Sequence, residues 1–83
     1  MKKTMIKAYI LLNMNYRNLK KALEEMGNIK QIEKISVIAG EYDVIIRVAI
    51  ESLEGLLEIT NTIQMIIGVE KTTTQIIEKE IIL

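Results

Sequence analysis

The chain contains no cysteine and no histidine. Their absence excludes disulfides, thiolate and imidazole metal sites, and any mechanism that runs on a cysteine nucleophile or a histidine base. Tryptophan and proline are missing too. Net charge is zero, because 11 basic residues balance 11 acidic ones. A DNA-binding domain usually carries a basic excess to neutralise phosphates, so direct nucleic-acid binding is not expected. No apolar run is long enough to span a bilayer, and Met1-Lys2-Lys3 leads into a strand-like run with no small-residue cleavage site. The expectation is a cytoplasmic protein with no membrane contact, no cofactor and no metal. Isoleucine is the commonest residue and lysine and glutamate supply most of the charge, a composition that leans towards a thermophilic source.

What is present is one short domain of 83 residues. A chain this small buries a modest fraction of its surface and usually needs a disulfide, a metal or a partner chain. With the first two removed, association with copies of itself is the remaining common source of stability.

The stretch Ser36 to Val48 organises the rest. Ser36 to Ala39 and Val44 to Val48 are apolar and β-branched, and Gly40-Glu41-Tyr42-Asp43 lies between them. Glycine tolerates positive φ and aspartate bonds locally to backbone, so the segment reads as a tight turn joining two strands. Nowhere else in the chain do a glycine, an aromatic hydroxyl and a carboxylate sit together.

Met5 to Leu12 reads as a first strand, with Ile6, Ala8, Ile10 and Leu12 on one face and Met5, Tyr9 and Leu11 on the other. Asn13 to Asn15 is a polar break, and Asn15 is suited to cap a helix. Tyr16, Leu19, Ala22, Leu23 and Met26 recur at helical spacing, and Gly27-Asn28 reads as a left-handed helix stop. The second strand is expected over residues 29–39, its polar first half a frayed edge, and the third over Val44 to Ile50. Ser52 can cap a second helix, with Glu54 in its first turn, and Leu53, Leu56, Leu57, Thr60, Ile63 and Ile67 follow the 3.6-residue period. Gly55 reads as a tolerated glycine and Gly68 as a second helix stop. Residues 69–79 form the fourth strand, and Ile81-Ile82-Leu83 is an apolar terminus expected to pair with something.

The order is β-α-β-β-α-β, the split βαβ or ferredoxin-like pattern of the α+β class. Right-handed crossovers place both helices on one face of a four-stranded antiparallel sheet. Tyr9, Leu11, Ile45 and Ala49, or their neighbours if the register is inverted, then lie on the second face, where a half-solvated sheet should be polar. Such an apolar face needs a partner, and the simplest is the same face of a second copy related by two-fold symmetry.

The run Ala39-Gly40-Glu41-Tyr42-Asp43-Val44-Ile45-Ile46-Arg47-Val48, with Gly68-Val69-Glu70-Lys71-Thr72-Thr73-Thr74-Gln75-Ile76-Ile77, resembles the ligand-binding (RAM) domain of the Lrp/AsnC transcriptional regulators. The resemblance covers nearly the whole chain. It implies a dimeric α/β barrel that assembles into rings of dimers and binds a small effector, commonly an amino acid, between dimers. Full-length regulators of that family carry an N-terminal helix-turn-helix domain, whereas this sequence opens at its first strand. The expectation is therefore a stand-alone RAM-like domain over residues 1–83, able to associate with full-length regulators and not binding DNA itself.

The segments that match the effector site are Gly40, Glu41, Tyr42 and Asp43 in the turn, and Thr72 and Thr74 in the fourth strand. An amino acid's ammonium seeks carboxylate acceptors, and its carboxylate seeks backbone N–H groups or hydroxyls. Asp43 offers the first, the amides around Gly40 and the threonine hydroxyls offer the second, and Tyr42 adds a ring and a hydroxyl. On the bland reading, Gly40 only makes the turn, Asp43 only tidies it and Tyr42 only packs. As a turn residue, Asp43 is expected to contribute little to folding. No enzyme is expected, since small α/β-barrel enzymes usually need a histidine, a cofactor or a buried acid–base pair. The similar ACT module is disfavoured because Leu12-Asn13-Met14-Asn15 has no glycine. A ligand-free structural partner of full-length regulators is the other alternative.

Overall fold

Along Ile6–Met14, the first strand (β1), every second side chain from Ala8 onward is apolar and almost fully buried: Ala8, Ile10, Leu12 and Met14. Val44–Ile50 (β3) repeats the pattern with Val44, Ile46, Val48 and Ile50. Side chains alternate across a strand, so these residues define one apolar face of a sheet. The computed structural model describes residues 4–83 and places β1 and β3 as the two central strands. Ile32–Val37 (β2) and Val69–Ile76 (β4) flank them in the order β2-β3-β1-β4, every pair antiparallel. In the central row Ile10 lies opposite Ile46 on one side and Thr74 on the other.

Two helices, Leu19–Gly27 (α1) and Leu53–Gln64 (α2), close over that face. Ala22 and Met26 from α1 join Leu56, Ile59 and Ile63 from α2, with Ile66 just beyond, in one cluster with the strand residues. Each large aliphatic side chain so buried contributes about 1.5–3 kcal/mol. The fold is the expected ferredoxin-like βαββαβ arrangement with both helices on one side. Within the protomer the sheet is open, with β2 and β4 as its edges. Among the described residues, no helix is long and apolar enough to cross a membrane.

Several local expectations are corrected. β1 does not stop at Leu12: Asn13 and Met14 stay in the strand, where the register against β4 shifts and the Met14 side chain turns into the core. Asn15 caps as expected, its Oδ1 accepting from the Arg17 N–H at 2.9 Å, but it caps a single 3-10 turn, Tyr16–Asn18, ahead of α1. The tighter turn takes Tyr16 off the buried stripe, leaving it 60% exposed.

The two helix ends also differ. Gly27 does not adopt positive φ, and Asn28 is right-handed at φ −89°, ψ −4°. The chain runs on through short turns, with the Ile29 N–H donating to Met26 O at 3.0 Å and the Ile32 N–H to Ile29 O at 3.1 Å. β2 therefore starts at Ile32, and it ends at Val37 instead of Ala39. Gly68 does take φ +101°, and β4 follows at once. In α2 the buried residues are Leu56, Ile59 and Ile63, whereas Leu53, Leu57 and Ile67 are mostly exposed. The helix stops at Gln64, so Ile66 and Ile67 leave the helical phase. Gly55 marks a close approach, since a Cβ there would meet Ile50 Cγ2 at 2.6 Å. The Ser52 cap is as expected, its Oγ accepting from the Gly55 N–H at 3.1 Å. β4 ends at Ile76, short of Lys79, and the Ile77 N–H donates to Lys7 O at 2.8 Å just beyond its end.

Candidate functional site

The connection between β2 and β3 is a loop over residues 38–43, longer than a four-residue turn. It is closed by the Ile38 N–H donating to Asp43 O at 2.9 Å. Gly40 sits in it at φ +146°, a conformation open to glycine and strained for other residues, and nothing stands within 4 Å of its missing Cβ. Three hydrogen bonds hang the loop on the end of β1. The Asp43 N–H donates to Leu12 O at 2.8 Å, the Asn13 side-chain amide to Glu41 O at 2.9 Å, and the Met14 N–H to Asp43 Oδ2 at 2.7 Å. The last is a short, charge-assisted bond made where β1 and β4 shift register. A loop held this way presents its free groups in a fixed geometry.

Those free groups are few. Glu41 is exposed, and the half-buried Tyr42 hydroxyl makes no hydrogen bond among the described residues. Thr72 and Thr74 lie on β4 opposite Leu12 and Ile10, on the helix side of the sheet. Thr72 Oγ1 accepts from the Gln64 side-chain amide of α2 at 2.8 Å. Thr74 lines an open cleft of about 270 Å³ beside Leu53, Leu57 and Thr60. β1 stands between Val44 and Thr72, which puts them two strand spacings apart, roughly 9–10 Å. The structure thus brings Gly40, Glu41, Tyr42 and Asp43 together with Asn13 and Met14. No hydrogen bond joins this group to Thr72 or Thr74 within the protomer.

The opposite face of the sheet carries a second feature. Tyr9, Leu11, Ile45 and Ala49 lie there as expected. A shallow concavity of about 540 Å³ opens beside Tyr9, with Leu11, Ile38 and Ile45 as its apolar part and Ser36, Lys34 and Arg47 among its polar lining. The Arg47 side chain is only 17% exposed, and all three of its guanidinium nitrogens donate hydrogen bonds. It pairs in bidentate fashion with Glu80, at 2.7 and 2.8 Å. It also bonds Glu33 at 3.3 Å and the Tyr9 hydroxyl at 3.1 Å, and it stands 5.7 Å from the centre of the Tyr9 ring. Donating a hydrogen bond to the Glu80 carboxylate raises the Arg47 pKa, with the bonds to Tyr9 and Glu33 adding to it. The same bond holds the Glu80 carboxyl below the usual carboxylate range. Sequence reasoning missed this cluster. Its only local signal is Arg47 as the one charge in the run Val44–Ile50.

The family model for the Lrp/AsnC ligand binding domain matches residues 7–82. No curated protein matches the chain in sequence. Among solved structures, a hypothetical protein from Pyrococcus horikoshii is similar at 27% identity with a TM-score of 0.80, over 92% of this chain and 93% of that one. A protein from Thermus thermophilus aligns at 24% identity with a TM-score of 0.86, over 95% of this chain and 100% of that one. E. coli AsnC aligns at 21% identity with a TM-score of 0.86 over 94% of this chain. The present chain spans 54% of the AsnC chain. The last two likenesses carry the fold alone.

Proposed function

Because the chain belongs to the Lrp/AsnC ligand-binding-domain family, we propose that it is a regulatory sensing module that binds a free amino acid, oligomerises and does not itself contact DNA. The observation that carries this reading is the family match over residues 7–82, nearly the whole chain. The effector's ammonium goes to the carboxylates of Asp43 and Glu41, and its carboxylate to the amides around Gly40. Tyr42 supplies its unengaged hydroxyl. Thr72 and Thr74 complete the site from a neighbouring dimer, since they do not bond the loop within one protomer. The loop's three bonds to β1 support the assignment, because a preorganised site loses less entropy on binding.

The outer sheet face packs on the same face of a second copy to give a dimeric α/β barrel, and dimers assemble into rings. The half-exposed Leu11 and Ile45 on that face support this. The module works in the cytoplasm on regulators of transcription or metabolism and catalyses nothing. Zero net charge supports the absence of direct DNA binding. Calorimetry with a panel of amino acids tests the central claim: binding by one of them is expected, and silence from all of them overturns it. A tight gel shift at moderate salt against competitor DNA would contradict the second part.

One observation favours a ligand-free structural partner of full-length regulators. Asp43 Oδ2 and Thr72 Oγ1 are already engaged by Met14 and Gln64. The same calorimetry separates the two readings.

A further inference from the structure

We infer that Ile81, Ile82 and Leu83 of one copy pack into the outer-face concavity of a second copy, with the Arg47–Glu80 pair fixing where this tail departs. The inference rests on the sheet-face dimer proposed above and adds the segment that fills its cavity.

The tail is already rooted on that face. After the Ile77 N–H bonds Lys7 O, the chain passes on to β3, where Glu80 accepts from Arg47 with both carboxylate oxygens. Arg47 is itself a wall of the concavity. The apolar end therefore starts one residue from an apolar seat.

It does not occupy the seat in its own protomer: Ile81, Ile82 and Leu83 are 73%, 90% and 113% exposed. Residues 77–83, Ile-Glu-Lys-Glu-Ile-Ile-Leu, contain none of the Gly, Asn, Asp, Ser or Pro that make tight reversals cheap. Facing sheets pack about 10 Å apart, and three extended residues span roughly 10 Å. A tail leaving one sheet thus reaches the facing sheet without turning.

Charge agrees. Among the described residues, Lys34 on the rim and Glu78 on the tail each lack an ion pair. Two-fold symmetry makes the exchange reciprocal, so one contact type buries both tails.

The chain has no native cysteine, so single-cysteine variants report unambiguously. An Ile82→Cys copy is mixed with a Ser36→Cys copy and mildly oxidised. The expected product is a covalent pair joining position 82 of one copy to position 36 of the other. An 82–36 link that forms only within one chain, when both substitutions share it, overturns the proposal in favour of a lid on the tail's own protomer. In parallel, Ile82→Asp is expected to raise the dimer dissociation constant by about tenfold or more in sedimentation, with circular dichroism unchanged. Ile45→Asp, on the concavity, reports on the sheet-face dimer itself. If Ile45→Asp dissociates the dimer and Ile82→Asp does not, tail docking fails and the sheet-face dimer stands. A dimer that survives Ile45→Asp removes the underlying reading as well.

Discussion

The Met14 N–H donates to Asp43 Oδ2 at 2.7 Å, joining residues 29 apart in the chain. The bond turns a surface loop into a fixture of the sheet's end. It also gives Asp43 a structural duty that its place in a turn does not suggest.

Asp43→Ala is therefore expected to destabilise the protein. It leaves a part-buried backbone donor without its acceptor, at a cost of about 1–3 kcal/mol. Asp43→Asn should recover part of the loss, because its amide oxygen still accepts. Urea unfolding of the three proteins measures this, and an Ala variant as stable as the parent would show the bond to be idle.

The two helix-end glycines should respond in opposite directions. At Gly68, φ is +101° and an added Cβ would lie 2.5 Å from Asn18 Cβ. Gly68→Ala should lose about 1–3 kcal/mol. Gly27 has negative φ and nothing within 4 Å of its missing Cβ, so Gly27→Ala should gain about 0.4–1 kcal/mol. Thermal melts of both variants test the contrast, and a shared sign would contradict it.

Acid should release the tail. Glu80 is held below its ordinary value of 4.5, chiefly by the Arg47 hydrogen bond. Its contribution is fully present above that ordinary value and is lost as pH falls through the depressed native one. The unfolded chain takes up the proton first, so stability drops on acidification within that window. Carboxyl-carbon NMR of Glu80 should show titration below the ordinary glutamate value, and Arg47→Lys, which loses the bidentate fork, should move it back up. Added salt should weaken this partly exposed pair.

The Tyr42 hydroxyl separates a binding role from a packing role. It has no hydrogen-bond partner among the described residues, so Tyr42→Phe should leave the melting curve unchanged. If the hydroxyl bonds the effector, calorimetry should show affinity weakened by about 0.5–1.5 kcal/mol, roughly two- to tenfold. Unchanged affinity for an amino acid that binds the parent would place Tyr42 outside the site.

The elements were legible in the sequence because their signals are local. Period-two alternation puts Ile46 on one face of β3 with Val44, Val48 and Ile50 and Ile45 on the other without reference to a distant residue, and packing against the helices settles that the first face is the core. Ser52 reads as a cap because its acceptor and the Gly55 N–H are three residues apart. Element order then leads to the ferredoxin-like topology through the handedness of crossovers. Tertiary structure decided what depends on register. Gly27 and Gly68 look alike as helix stops, but only Gly68 takes positive φ, at a point where its carbonyl accepts from the Asn15 N–H. The helical period of α2 included Leu57 and omitted Ile59, because the angle at which a helix meets its sheet is not written in the helix. Asp43 found Met14, and Arg47 found Glu80, across 29 and 33 residues. Such pairings follow from which strands lie side by side and where their register slips, and no local pattern of residue types encodes either one.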